Sequence, residues 1–105
     1  MAKYLLVFHG GGMPESEEEQ QRVMAAWTDW YGALGASVAD PGNPIGRSMT
    51  IATDGSVSDG GGANPASGYA VIEAEDIDDA VGKSKGCPIL MSGGSIEVAE
   101  TFDVM

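Results

Sequence analysis

Residues Ala2 to His9 form a dense apolar run without helical spacing. Its length and its Tyr, Val and Phe content predict a strand buried on both faces. Gly10-Gly11-Gly12 and Pro14 follow as its stop. Ser16-Glu17-Glu18-Glu19 then reads as a capping box, with Ser16 as N-cap and Glu19 reaching back to it. The acidic first turn complements the helix dipole. Apolar Val23, Trp27, Trp30, Tyr31 and Leu34 recur at helical spacing, one stripe of an amphipathic helix that Met24 widens. Gly35 stands where a left-handed C-cap is wanted.

Ala36 to Ala39 is a short strand candidate, and Asp40-Pro41-Gly42-Asn43-Pro44 a turn. Arg47 to Thr53 and Ser56 to Ser58 flank Asp54-Gly55 as the halves of a hairpin. After a loop over Gly60 to Ser67, Gly68 to Glu75 reads as a central strand around Tyr69, Val71 and Ile72. Asp76 caps a second helix with acids Asp78 and Asp79 in its first turn and Lys83 and Lys85 in its last. Ile77, Ala80 and Val81 are its expected apolar face, Gly86 its C-cap and Pro88 its stop. Ser95 to Val104 closes the chain as an imperfectly alternating strand through Ile96, Val98 and Phe102. The order β-α-β-hairpin-β-α-β predicts one α+β domain over residues 1–105, a ferredoxin-like βαββαβ unit with an antiparallel sheet and an extra hairpin. In such a unit both helices cover one sheet face. Two strands apolar on both sides leave the other face needing cover, which predicts a homodimer joined sheet to sheet.

Composition narrows the function class. Sixteen Asp and Glu against five Lys and Arg give a net charge of −11. The five positive residues are scattered, so no basic stripe is offered to nucleic acid or to an anionic membrane. The first apolar run is too short for a signal-peptide core or a membrane span. Cys87 is the single cysteine, so no intrachain disulfide is expected. A reducing cytoplasm is the expected compartment.

Three motif-like strings carry no chemistry. His9-Gly10-Gly11-Gly12 matches the oxyanion-loop string of some esterases, but no G-x-S-x-G elbow accompanies it. Gly82-Lys83-Ser84 lacks the first glycine of a Walker A loop, since Ile77 stands there, and it falls inside a helix. The Asp54 to Gly62 stretch has Asp59 and Pro65 where an EF-hand needs Gly and Glu. No metal site and no cofactor are expected. His9, where a core strand opens into a glycine loop, is the candidate catalytic acid or base. The plainer reading is a half-buried histidine bonded to backbone. Trp27, Tyr31 and Tyr69 are candidate walls of a ligand pocket, although a stripe like Trp27, Trp30 and Tyr31 is more often core. One of that stripe is expected to face a cavity, not all three. Arg47 is a candidate anchor for an anionic ligand, against the plainer surface ion pair. Cys87 follows a helix C-terminus, where the dipole does not favour a thiolate, and reads as a small buried hydrophobe.

Gly68-Tyr69-Ala70-Val71-Ile72-Glu73-Ala74, the Asp76-Ile77-Asp78-Asp79-Ala80-Val81 helix and Gly86-Cys87-Pro88 give the chain a resemblance to the YCII-related (DGPF-domain) family. Lys3-Tyr4-Leu5-Leu6-Val7 and Ile96-Glu97-Val98 extend it over nearly the whole length. The resemblance implies a dimeric α/β barrel with a ligand-sized cavity between sheet and helix. It implies no single activity. Members resemble muconolactone isomerases and cofactor-free monooxygenases of the same barrel superfamily, while others lie near sigma factors and are suspected of a regulatory role. The naming D-G-P-F string survives only as Asp59-Gly60, and Trp27 stands where some members carry a proposed catalytic histidine. The expected function is therefore a small-molecule cavity in a homodimer, either a cofactor-free enzyme using His9 or a non-catalytic regulatory or protein-interaction module.

Overall fold

A computed structural model describes residues 2–12 and 15–103. Strand β1 runs Ala2–His9, helix α1 Glu17–Leu34, β2 Val38–Asp40, β3 Met49–Ile51, β4 Val57–Asp59, β5 Ala66–Ala74, α2 Ile77–Ser84 and β6 Ser95–Glu100. The main sheet has the order β2-β5-β1-β6 with every pair antiparallel. That is the strand order of a ferredoxin-like α+β unit. β3 and β4 pair only with each other, as the extra hairpin.

Both helices start as their sequences predict, with one difference. Ser16 Oγ accepts the Glu19 N–H at 3.1 Å, but the Glu19 carboxylate accepts from Glu15 N–H rather than from the cap residue itself. α2 repeats the device: Asp76 Oδ1 accepts the Asp79 N–H at 2.8 Å, and Asp79 Oδ2 accepts the Glu75 N–H at 3.0 Å. A carboxylate three residues into each helix thus binds the chain just before the cap. Asp79 also takes the Lys83 ammonium at 2.7 Å, and these bonds hold its carboxyl below the usual range.

The core lies on one face of the sheet. Tyr4, Leu6 and Phe8 of β1 and Ala70, Ile72 and Ala74 of β5 are buried there with Trp30, Ala80, Cys87 and Ile89. Strand alternation sends Leu5, Val7, Tyr69 and Val71 to the opposite face, where they are only half-buried. Leu5 pairs with Val71, and Val7 with Tyr69, so these side chains form one apolar band. β1 is therefore apolar on both faces, but the helices bury only one.

Several expectations need correction. The first half of the predicted second strand is a 3-10 turn, Gly35–Ser37, and β2 is displaced to Val38–Asp40. Gly35 has a positive φ of 54° but a ψ of −122°, so it is not a left-handed helical cap. α2 buries Ala80 and Ser84, while Ile77 and Val81 are exposed at 43% and 37%. Ser84 sits in the core because its hydroxyl donates to the Ala80 carbonyl at 2.8 Å. Lys85, in right-handed conformation, caps α2, and Gly86 rests against the Trp30 ring. Pro88 opens a 3-10 turn, Pro88–Ser92, that carries Ile89 into the core. β6 ends at Glu100, leaving Phe102 79% exposed. The expected stop at Pro14 and the expected strand end at Val104 lie outside the described residues. Among the described residues no helix is long and apolar enough to cross a membrane.

Candidate functional site

The aromatic stripe of α1 divides in two. Trp30 turns into the core, 7% exposed, and its indole N–H donates to the Lys83 carbonyl at 3.1 Å. Val23, Trp27 and Tyr31, each one turn further along, instead line a cleft of about 730 Å³, with Met24 and Thr28 beside them. The turn from Pro41 to Ile45 and residues Ser67 to Tyr69 form the facing wall, and Gly10 to Gly12, Ile89 and Ser92 close one end. Phe8 meets the Trp27 ring edge-on, centroids 5.4 Å apart at 67°. Trp27 and Tyr31 lie more nearly parallel, 6.0 Å apart at 31°. Such contacts hold the rings in place beyond what area burial alone supplies.

The facing wall exists because of a close backbone approach. Asp40 Oδ1 accepts the Gly42 N–H at 2.9 Å, and Gly42 takes φ 69°. A Cβ on Gly42 would lie 1.7 Å from the Tyr69 carbonyl oxygen. Only glycine allows the turn to sit this tightly on β5. The Asn43 carbonyl then accepts the Tyr69 N–H at 3.3 Å, and Ser67 O accepts the Ile45 N–H at 3.0 Å. The Tyr31 hydroxyl ties α1 to this turn by donating to the Pro41 carbonyl at 2.9 Å. Burial raises the Tyr31 phenol above its ordinary range, and the Asp40 carboxylate adds to it.

The sequence-predicted site residues do not converge. Trp27 and Tyr31 line the cleft. Tyr69 borders it from β5, where the alternation that buries Gly68 and Ala70 sends its side chain toward the other sheet face. His9 is not among the lining residues. It sits beside a bulge in the β1–β5 pairing, its side chain 11% exposed. Its Nδ1 lies 3.2 Å from the Pro65 carbonyl, which can only accept, so Nδ1 carries a hydrogen. Its Nε2 faces Glu97 Oε1 at 3.5 Å, and that carboxylate side chain is 66% exposed. Arg47 stands beside the hairpin, 3.5 Å from Asp59, both side chains about four-fifths exposed at 80% and 81%. It is a surface ion pair, and neither member is among the cleft-lining residues. Cys87 is buried, and burial pushes its thiol from 9.0 up to about 11.

Sequence reasoning missed Gly42, Asn43 and Ile45 as cleft wall, and Glu97 as the acid beside His9. The Asp40 to Pro44 turn was legible, but its landing on β5 depends on strand order. Glu97 reaches His9 through the β1–β6 register, in which His9 pairs with Ser95. Among the described residues no group of three or more His, Cys, Asp or Glu side chains is placed to hold a metal ion. Comparison with protein-family models and with curated proteins finds no match to the chain.

Proposed function

We propose that this chain is a homodimeric ligand-binding protein of YCII-like type that holds a small molecule in the cleft beneath α1. The observation that carries the reading is the cleft itself. Its volume of about 730 Å³ falls in the range of about 300–1,000 Å³ that accommodates drug-sized ligands. Its lining is mostly aromatic, aliphatic and glycine backbone, which suits binding better than proton transfer. The half-buried band of Leu5, Val7, Tyr69 and Val71 supports a dimer, because a second sheet laid over it would complete its burial. A dimeric α/β barrel is the assembly that follows, in a reducing cytoplasm where Cys87 stays a thiol. Sedimentation at micromolar concentration is expected to give a dimer, and a monomer would remove the barrel.

A second reading is favoured by one observation. Glu97 stands 3.5 Å from His9, a carboxylate placed to orient an imidazole for acid–base work. In that reading the chain is a cofactor-free enzyme acting on the band side of the sheet rather than in the cleft. His9→Gln then abolishes turnover and leaves the circular-dichroism spectrum unchanged. Undiminished turnover in that variant ends the catalytic reading and leaves the binding one intact.

A further inference from the structure

The chemistry of the cleft lining defines the ligand more narrowly, and this step rests on the binding reading above. Among the described lining residues none carries a carboxylate, ammonium, guanidinium or imidazole. The ionisable side chain turned toward the cleft is the Tyr31 phenol, and its hydroxyl is already committed to the Pro41 carbonyl. The Thr28 hydroxyl is committed too, donating to the Met24 carbonyl at 2.9 Å. A charged ligand entering here would lose its water and gain no counter-charge, which is costly. An anion meets a second obstacle, because the chain carries a net charge of −11. A flat ring meets neither obstacle. Phe8, Trp27 and Tyr31 offer it edges and faces, the geometry in which aromatic groups attract.

We infer that the cleft beneath α1 binds an uncharged, planar, largely apolar molecule of one or two rings. Such a ligand would bridge Trp27 on α1 and the Pro41 to Ile45 turn, which the Tyr31–Pro41 hydrogen bond already joins.

The test uses two probes with the same aromatic frame. N-phenyl-1-naphthylamine is neutral, and 8-anilino-1-naphthalenesulfonate adds one negative charge. The full chain is titrated with each, followed by probe fluorescence and by energy transfer from tryptophan. The neutral probe is expected to bind at least about tenfold more tightly, the least that desolvating an unpaired charge should cost. Trp27→Ala is expected to weaken the neutral probe by about tenfold through loss of one aromatic contact, with the circular-dichroism spectrum unchanged. Met24 is 65% exposed at the cleft lip, so Met24→Lys should fold normally even if Trp27→Ala does not. That variant should shift the ranking toward the sulfonate. Equal or tighter binding of the sulfonate by the unmodified chain overturns the ligand class while leaving the cleft as a site. Binding indifferent to both substitutions, or binding of neither probe, overturns the cleft reading itself.

Discussion

Gly42→Ala tests whether the cleft wall depends on the close approach of the Asp40 to Pro44 turn to β5. The added Cβ would sit 1.7 Å from the Tyr69 carbonyl oxygen, so the turn must withdraw by more than an ångström. Withdrawal strains the Asn43–Tyr69 and Ile45–Ser67 backbone bonds, worth about 1 kcal/mol each. Alanine at φ 69° adds about 1–2 kcal/mol for left-handed backbone. The sum is about 3–4 kcal/mol, a large share of the roughly 5–15 kcal/mol that stabilises a domain. For a chain of this size that lowers Tm by roughly 12–30 °C. The assay is urea unfolding followed by circular dichroism, with the loss expected in the midpoint and not in the slope. Gly46→Ala is the control, because nothing lies within 4 Å of its Cβ and its φ is not positive; it should stay within about 0.5 kcal/mol of the parent. A Gly42→Ala loss below about 1 kcal/mol would refute the argument, because the turn would then be free to move and the cleft wall would not be a fixed surface.

Two further outcomes follow from buried groups. Trp30→Phe removes the indole N–H that the Lys83 carbonyl accepts at 3.1 Å and should cost about 1–3 kcal/mol in urea unfolding; a neutral result would mean that water satisfies this carbonyl. Cys87 should react with a disulfide reagent at pH 8 only after unfolding, because burial holds its thiol near 11 and the thiolate is the nucleophile. A thiol held protonated in the fold contributes stability that is full below its ordinary value of 9.0 and is lost as pH rises toward about 11. The raised Tyr31 phenol acts in the same direction above 10.0. Stability measured across this window should therefore fall, and fall less in Cys87→Ala; a parent curve flat over the window would contradict the burial argument.

Local signals explain what the sequence alone determined. Ser16 and Asp76 cap helices through bonds to residues three positions on, so both helix starts could be read within a few residues of chain. The apolar run of β1 and the turn residues around Asp54-Gly55 act over the same short range, where Asp54 accepts from Ser56 N–H and hydroxyl alike. With those elements in order, the ferredoxin-like α+β arrangement followed. Tertiary structure decided what each face meets. One stripe on α1 could not announce that Trp30 enters the core while Trp27 and Tyr31 line a cleft, because a rotation of the helix on the sheet separates them. The apolar face expected on α2 held only at Ala80, for the same reason: Ala80 is buried together with Ser84, while Ile77 and Val81 are exposed. His9 meets Pro65 across a separation of 56 residues and Glu97 through strand register. Gly42 matters only because β5 passes beside it. Such contacts depend on strand order and on the depth to which helix and turn settle on the sheet, and no short-range pattern encodes either.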